Sequence, residues 1–373
     1  MNKEYLKETG LLFLKLGATT FGGPAATIAI MEKEVVQKRN WLNRQDFLDL
    51  VGAASILPGP SSTQMAIFCG YSRAGALGLW LAGFCYILPA FIITTTLAWF
   101  YIQYGSTPAI APFFDGIKPA VVAIILDAII LFGKKTLKNW QLGLIGIAVC
   151  AGALYGLNQI MLILAAGFIG MIWFSGFSKN VKTIFPFVLL QTPAMLASYS
   201  TAKLFWVFLK IGSVLFGGGY ILFAYLDHDL VQNLHWLNHQ QLMDAIAAGQ
   251  FTPGPILSTA TFIGYQIGGF SGAIVATIGI FLPSFFFVWA LTPIIPKLRK
   301  SAAASAFLDS VNIAAVALML TVTIHMGMST FLNWQSILIG VLAFAVILLF
   351  NKVNSFWIIL GGALMGFAFH LFQ

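Results

Sequence analysis

Three lysines stand inside long apolar stretches of this chain: Lys15, Lys118 and Lys210. An ammonium at the centre of a lipid-embedded helix costs about 2.5 to 3.5 kcal/mol, so each demands a counter-charge or a wet cavity. Lys15 and Lys210 lie 195 residues apart in the same local sequence, Phe13-Leu14-Lys15 and Phe208-Leu209-Lys210. Lys118 has Asp115 three residues away, within reach on a helix. Soon after each paired lysine comes a run that interrupts a helix: Phe21-Gly22-Gly23-Pro24, and Phe216-Gly217-Gly218-Gly219. Further along, Pro58-Gly59-Pro60 precedes Ser61-Ser62-Thr63-Gln64, and Pro253-Gly254-Pro255 precedes Ile256-Leu257-Ser258-Thr259. Glycine permits unwound backbone and close approach of a ligand. A helix restarting after proline offers free N–H donors and the positive end of its dipole. Ammonium, hydroxyl and free N–H groups together bind anions.

Two readings of these residues compete. In one, Lys15 and Lys210 snorkel to the membrane surface and the breaks are packing kinks. In the other, both lysines and the residues Gly22, Gly23, Gly217, Gly218, Ser61, Ser62, Thr63, Gln64, Ser258, Thr259 and Lys118 surround an anion. Pro58, Gly59, Pro60, Pro253, Gly254 and Pro255 then act as helix breaks or hinges. The repetition of both breaks favours the second reading. No catalytic residue, cofactor or metal is expected. The sequence shows no P-loop, dinucleotide turn or nucleophile–base arrangement, and Cys69, Cys85 and Cys150 are spaced for neither metal nor disulfides. His235 and His239 have the spacing of a ligand pair but no evident third ligand, and His228 lies in the same loop. Asp127 could carry a proton or pair with Lys134, and His325 has no obvious partner.

The elements that must position these groups are membrane helices. Of 373 residues, 59% are hydrophobic and 9% charged, with mean hydropathy +0.88, which excludes an ordinary soluble enzyme. The net charge of +8 is dispersed among short loops, which argues against nucleic acid and for orientation in a lipid bilayer. Residues 13–60 match residues 208–255 without a gap at 19 of 48 positions, and the match continues at an offset of 194, pairing Asp115 with Asp309 and Trp140 with Trp334. The expected units are 1–180 and 181–373, each a transporter repeat. Apolar segments of the first lie near 11–30, 46–70, 75–101, 110–133, 140–156 and 159–176. Asn43 and Asn238 are set to cap the broken second segment of each unit, with Asp46 and Gln241 three residues on. From the cap to Pro58 is only about 21 Å of helix, so neither half of that segment spans alone.

Loop charge separates a re-entrant hairpin from a single interrupted crossing. With a hairpin, each unit crosses five times and the units are antiparallel. Lys33, Lys38, Arg39, Arg44, Arg73, Lys134, Lys135, Lys138, Lys179, Lys182, Lys203, Lys297, Arg299, Lys300 and Lys352 then share one side, against Lys3 and Lys7. With a crossing the same residues divide almost evenly, so positive-inside bias favours the hairpin. Equivalent loops also exchange charge: 31–44 is basic, whereas its counterpart carries Asp227, His228, Asp229, His235 and His239. The expected fold is an all-α integral membrane protein of two inverted repeats, the architecture of secondary transporters with a site near the midplane.

The doubled Phe-Gly-Gly and Pro-Gly-Pro motifs, the Trp-Leu-Asn-x-Gln stretch before each of the latter and the duplicated layout resemble the chromate ion transporter family in its two-domain form. The resemblance covers essentially the whole chain. It implies export of chromate across a bacterial or archaeal inner membrane, driven by the proton-motive force or by exchange with a related oxyanion such as sulfate, and leaves room for a homodimer. One departure is visible, Gly219 where the first repeat has Pro24. A membrane scaffold whose glycines serve helix packing remains the alternative.

Overall fold

A computed structural model describes residues 3–21, 23–105, 107, 110–175, 200–216, 219–292, 301–350 and 353–371. Every regular element among them is a helix. In the first unit these are α1 (Lys3–Thr19), α2 (Gly23–Glu32, continued by a π-helical turn Lys33–Lys38), α3 (Arg44–Ala54), α4 (Ser61–Tyr104), α5 (Ala111–Thr136), α6 (Trp140–Leu154) and α7 (Gln159–Ser175). In the second they are α8 (Thr201–Val214), α9 (Leu222–Leu226, followed by a π turn Asp227–Asn233), α10 (His239–Phe251), α11 (Thr259–Leu291), α12 (Ala302–Thr330), α13 (Trp334–Leu349) and α14 (Ser355–Leu371). Four described helices, α4, α5, α11 and α12, are long and apolar enough to cross a membrane.

The caps fall where the sequence puts them. Asn43 Oδ1 accepts from the Asp46 N–H at 2.8 Å, and Asn238 with Gln241 forms a reciprocal capping box. Both start helices that stop short of the Pro-Gly-Pro breaks. α4 is not one rod: at Gly75 the backbone takes φ +65°, and Gly70 and Gly78 lie backbone against backbone, which eight residues of straight helix would separate by about 12 Å. The chain reverses there. Gly269, with Gly264 and Gly272, repeats the reversal in α11. Residues 44–73 therefore dip in and return, and the long second leg of α4 follows.

The first segment differs from expectation. Residues 11–30 read as one span, but Trp41 Nε1 donates to Glu8 Oε1 at 3.2 Å, and Lys15 Nζ lies 3.9 Å from Glu34 Oε1. These contacts require the chain to turn back near residues 20–23, at the Phe-Gly-Gly break. Apolar composition is the same for a straight helix and a folded one, so the sequence does not separate them.

Contacts define two ends of the bundle. Glu8, Arg39, Trp41 and Arg73 meet at one, which also holds Lys33, Lys38 and, by chain direction, Lys134, Lys135 and Lys138. The second leg of α4 runs about 39 Å from there to Tyr101, whose Oη donates to Asp244 at the other end. That end gathers Asp115, Asp227, Asp229 and Asp244. The hairpins of the first unit reach in from the basic end and those of the second from the acidic end. Two loop assignments change as a result. Lys3 and Lys7 begin α1 at the basic end, while Lys203 begins α8 at the acidic end, its Nζ 5.6 Å from the Trp236 ring. Lys179, Lys182, Lys297, Arg299, Lys300 and Lys352 lie outside the described residues. The units also interlock, α5 packing on α13 and α14 and α12 on α6 and α7.

Candidate functional site

The helix breaks of the two units meet in the middle and bond crosswise. Gly59 donates its N–H to the Leu215 carbonyl at 2.6 Å, and Gly254 donates to the Thr20 carbonyl at 2.8 Å. Leu215 and Thr20 are equivalent positions, so each Pro-Gly-Pro tip is tied to the Phe-Gly-Gly break of the opposite unit. The surroundings cross in the same way. Gly59 packs on Ser284 and Gly254 on Ala90, again equivalent residues. Both tip glycines have positive φ, +125° and +97°, which side-chain-bearing residues rarely adopt.

Around these tips lies a seam of buried hydroxyls and amides. Thr63 and Ser258 occupy equivalent places in the restarting helices, and neither hydroxyl has a hydrogen-bond partner among the described residues; the same holds for Tyr86 Oη, Ser284 Oγ and Gln64 Oε1. Gln64 Nε2 donates to the Pro58 carbonyl at 2.7 Å, Thr94 Oγ1 donates to Thr252 Oγ1 at 3.3 Å, and Tyr86 Oη lies beside Ser62, Thr20 and Thr27. Ser61 is half-buried, and Thr259 is buried with its hydroxyl donating to Ile256. Gly23 has φ +80° and faces the Tyr220 hydroxyl. Gly22, Gly217 and Gly218 lie outside the described residues. Unsatisfied buried donors are costly, about 1 to 3 kcal/mol each, and are kept where a ligand or water completes them.

The lysines are each held by carboxylates. Lys210 Nζ is 2.6 Å from Asp229 Oδ2. Lys15 faces the equivalent Glu34 at 3.9 Å, but Glu34 is taken more closely by Lys38 at 2.8 Å and by Arg39, and the Lys15 side chain is 62% exposed. Hydrogen bonding from Lys38, against the cost of burial and with help from Arg39, holds the Glu34 carboxyl down to about 2. No contact among the described residues joins Lys15 to Lys210. Lys118 is buried, 3.1 Å from Asp115 and 3.6 Å from Asp244. Sequence reasoning named Asp115 beside Lys118 but missed Glu34, Asp229 and Asp244, although Glu34 and Asp229 share the offset of the lysines, as do Asp49 and Asp244. It also missed Tyr86 and Ser284, which carry no motif.

Beyond the seam, a cavity of about 520 Å³ opens at the acidic end, lined by His228, His239, His325 and Gln159 among others. His239 Nδ1 is 2.9 Å from Asp227, and burial lowers the His228 imidazole below its usual value despite Asp229. Asp127 lies near Tyr220.

A family model described as "Chromate transporter" matches this sequence twice, at residues 7–171 and 202–367. The chain belongs to the chromate transporter family. Its members include the chromate transport protein of Cupriavidus metallidurans, 31% identical over 373 residues, which cover 97% of this chain and 92% of that one. The chromate transport protein of Pseudomonas aeruginosa is 31% identical over 379 residues, 95% of this chain and 90% of that protein. An uncharacterized transporter of Methanocaldococcus jannaschii is 30% identical over 377 residues, 95% and 92% of the two chains. No solved structure matches this chain. Family membership together with the apolar helices makes this a multi-pass membrane protein.

Proposed function

We propose that this protein is a secondary transporter that exports chromate by alternating access between two inverted repeats. The observation that carries the reading is the crosswise bonding of equivalent breaks around a polar seam, with the hairpins of the two units entering from opposite ends. In such architectures the site lies where the repeats meet near the midplane, and half-helix N-termini face an anion. Chromate is a tetrahedral dianion. Thr63, Ser258, Ser62, Tyr86 and Ser284 would supply neutral donors to its oxygens, and the helix starts at Ser61 and Ile256 would add their N–H groups. Lys15 and Lys210 stand toward the two mouths, where they attract the anion without trapping it. Sulfate has the same charge and shape and is the expected competitor or exchange partner.

Loop charge supports an orientation. Lys33, Lys38, Arg39, Arg73 and Lys138 mark the basic end as cytoplasmic. The first-unit hairpins, which enter from that end, are the more exposed: Ala29, Ile30 and Leu48 face out, whereas Ile221 to Leu230 in the second unit are buried throughout. The test is uptake of labelled chromate into everted membrane vesicles, with and without a proton gradient and with sulfate as competitor. Uptake above that of vesicles lacking the protein supports the reading; none, with the protein present and folded, refutes it.

A further inference from the structure

The two mouths of the molecule carry equivalent ion pairs of unlike kind. At the basic end Arg44 Nε lies 3.5 Å from Glu32 Oε1; at the acidic end the residues 195 positions on, His239 and Asp227, meet at 2.9 Å. Lys33 likewise becomes His228, and at the offset of 194 Lys134 and Lys135 become Met328 and Ser329. Fixed cations of the first unit are thus replaced in the second by imidazoles and uncharged side chains. His228, His239, Met328 and Ser329 all line the cavity of about 520 Å³ at the acidic end, together with His325. That cavity also holds polar atoms left without partners among the described residues. His228 is 8% exposed and Gln159 5%, and neither His228 Nε2 nor Gln159 Oε1 has a hydrogen-bond partner there. Both oxygens of Asp227 are occupied, Oδ2 by Gln232 Nε2 at 2.6 Å and Oδ1 by His239, while Lys210 holds Asp229. The charged and titratable groups lining the cavity or acting on His228 are Asp227, Asp229 and His228 on the π turn, Lys210 on α8, His239 on α10 and His325 on α12; α6 and α7 carry none among the described residues.

We propose that this cavity is an outer binding site for a tetrahedral oxyanion, which it captures together with protons on His228 and His239. The inference rests on the transport reading above, which makes the acidic end the outer one. With neutral imidazoles, Lys210 offsets Asp229 and Asp227 is left uncompensated, so the mouth repels a dianion. Charging His239 cancels Asp227, and charging His228 and His325 turns the mouth positive. Imidazole is the side chain whose charge changes between about pH 5 and 8. Burial holds the His228 imidazole below its usual value, so it stays neutral until an anion beside Nε2 offsets that cost. The charged Nε2–H then donates to the oxyanion, a stronger bond than a neutral donor makes. Gln159 Oε1 accepts from a water that the ion carries in, for which the volume leaves room. By linkage, an anion that recruits protons binds more tightly as pH falls. The inner mouth, with Lys33 and Arg44 in the equivalent places, keeps its positive charge across that range.

Isothermal titration of sodium sulfate into full-length protein in nanodiscs tests the site, because sulfate keeps its charge between about pH 6 and 8 whereas chromate does not. Wild-type affinity should rise about tenfold per pH unit on acidification for each proton taken up. The heat measured at one pH should also differ between buffers of unlike ionisation enthalpy. His239→Arg restores the fixed charge of Arg44 and should keep binding tight at about pH 8, with smaller proton uptake. His228→Gln removes the unpartnered imidazole and should also lower proton uptake; it serves if His239→Arg does not fold. Sulfate affinity that is equal at both ends of the range in wild type, or a pH dependence unchanged in the variants, overturns the site. Chromate counterflow in liposomes separates the two ideas: intact counterflow with pH-independent sulfate binding refutes the outer site alone, while no counterflow at any pH refutes the transport reading beneath it.

Discussion

Substituting Gly59 by alanine tests whether the tip geometry is as demanding as the crosswise bonding implies. At φ +125° a side chain costs about 1 to 3 kcal/mol in backbone strain. Its Cβ would also run into Ser284 Oγ and come within 2.8 Å of Gln64 Nε2, forcing one of them off its rotamer or the backbone aside for roughly another 1 to 3 kcal/mol. The sum, about 2 to 6 kcal/mol, falls on the residue whose N–H holds Leu215. Gly75 supplies the control. It has φ +65° with ψ −153°, a region kept almost entirely by glycine, but a Cβ there meets nothing within 4 Å, so Gly75→Ala carries the backbone strain of about 1 to 3 kcal/mol without the clash. Thermal unfolding followed by fluorescence-detected size exclusion should rank wild type above Gly75→Ala above Gly59→Ala, and chromate counterflow should survive in the first variant and be lost in the second. A Gly59→Ala protein as stable and active as Gly75→Ala would refute the reasoning.

Three further outcomes follow from the ion pairs and the two ends. Lys210→Ala leaves Asp229 buried without its cation and should cost about 3 to 5 kcal/mol, whereas Lys15→Ala leaves Glu34 with Lys38 and Arg39 and should cost under about 1; comparative melting in detergent decides it. The Glu34 carboxyl has its folded value lowered from 4.5 to about 2, so its stabilisation is complete above 4.5 and is lost as pH falls through 2. The stability gap between wild type and Glu34→Gln should therefore shrink across that window, and a gap that is constant with pH contradicts the assignment. Gln45 and Gln240 are equivalent and exposed. In a cysteine-free background, Gln240→Cys should react with an impermeant maleimide in intact cells and Gln45→Cys only in everted vesicles; labelling of both from one side would end the antiparallel account.

Some of this arrangement is legible in the residues and some is not. The duplication, the caps at Asn43 and Asn238 and the Pro-Gly-Pro interruptions are local signals, and local rules place them. The paired lysines are visible because their positions are kept at a fixed offset. Their carboxylates were equally visible by that rule, yet a loop of mixed charge does not announce which member reaches back to a helix. The fold-back of the first segment is hidden because hydropathy has no sign for direction. Tyr86 and Ser284 are hidden for a different reason: their equivalents are Ile280 and Ala90, so the symmetry that exposes the rest of the site erases them. Asp244 was in plain view as an identity with Asp49, but its partner Lys118 comes from α5 of the other unit, a contact that only the interlocked packing creates.

In the proposed mechanism, neutral donors at the two restarting helices bind the dianion. Thr63→Val and Ser258→Ala each remove a buried hydroxyl that has no partner among the described residues, so neither should lower thermal stability. A hydrogen bond to a charged ligand is worth about 1.5 to 3 kcal/mol, which is roughly 10- to 100-fold in affinity for each hydroxyl. Isothermal titration of chromate into purified wild type and both variants should give that loss with unchanged melting temperatures; chromate binding that is equally tight in the double variant would contradict the site.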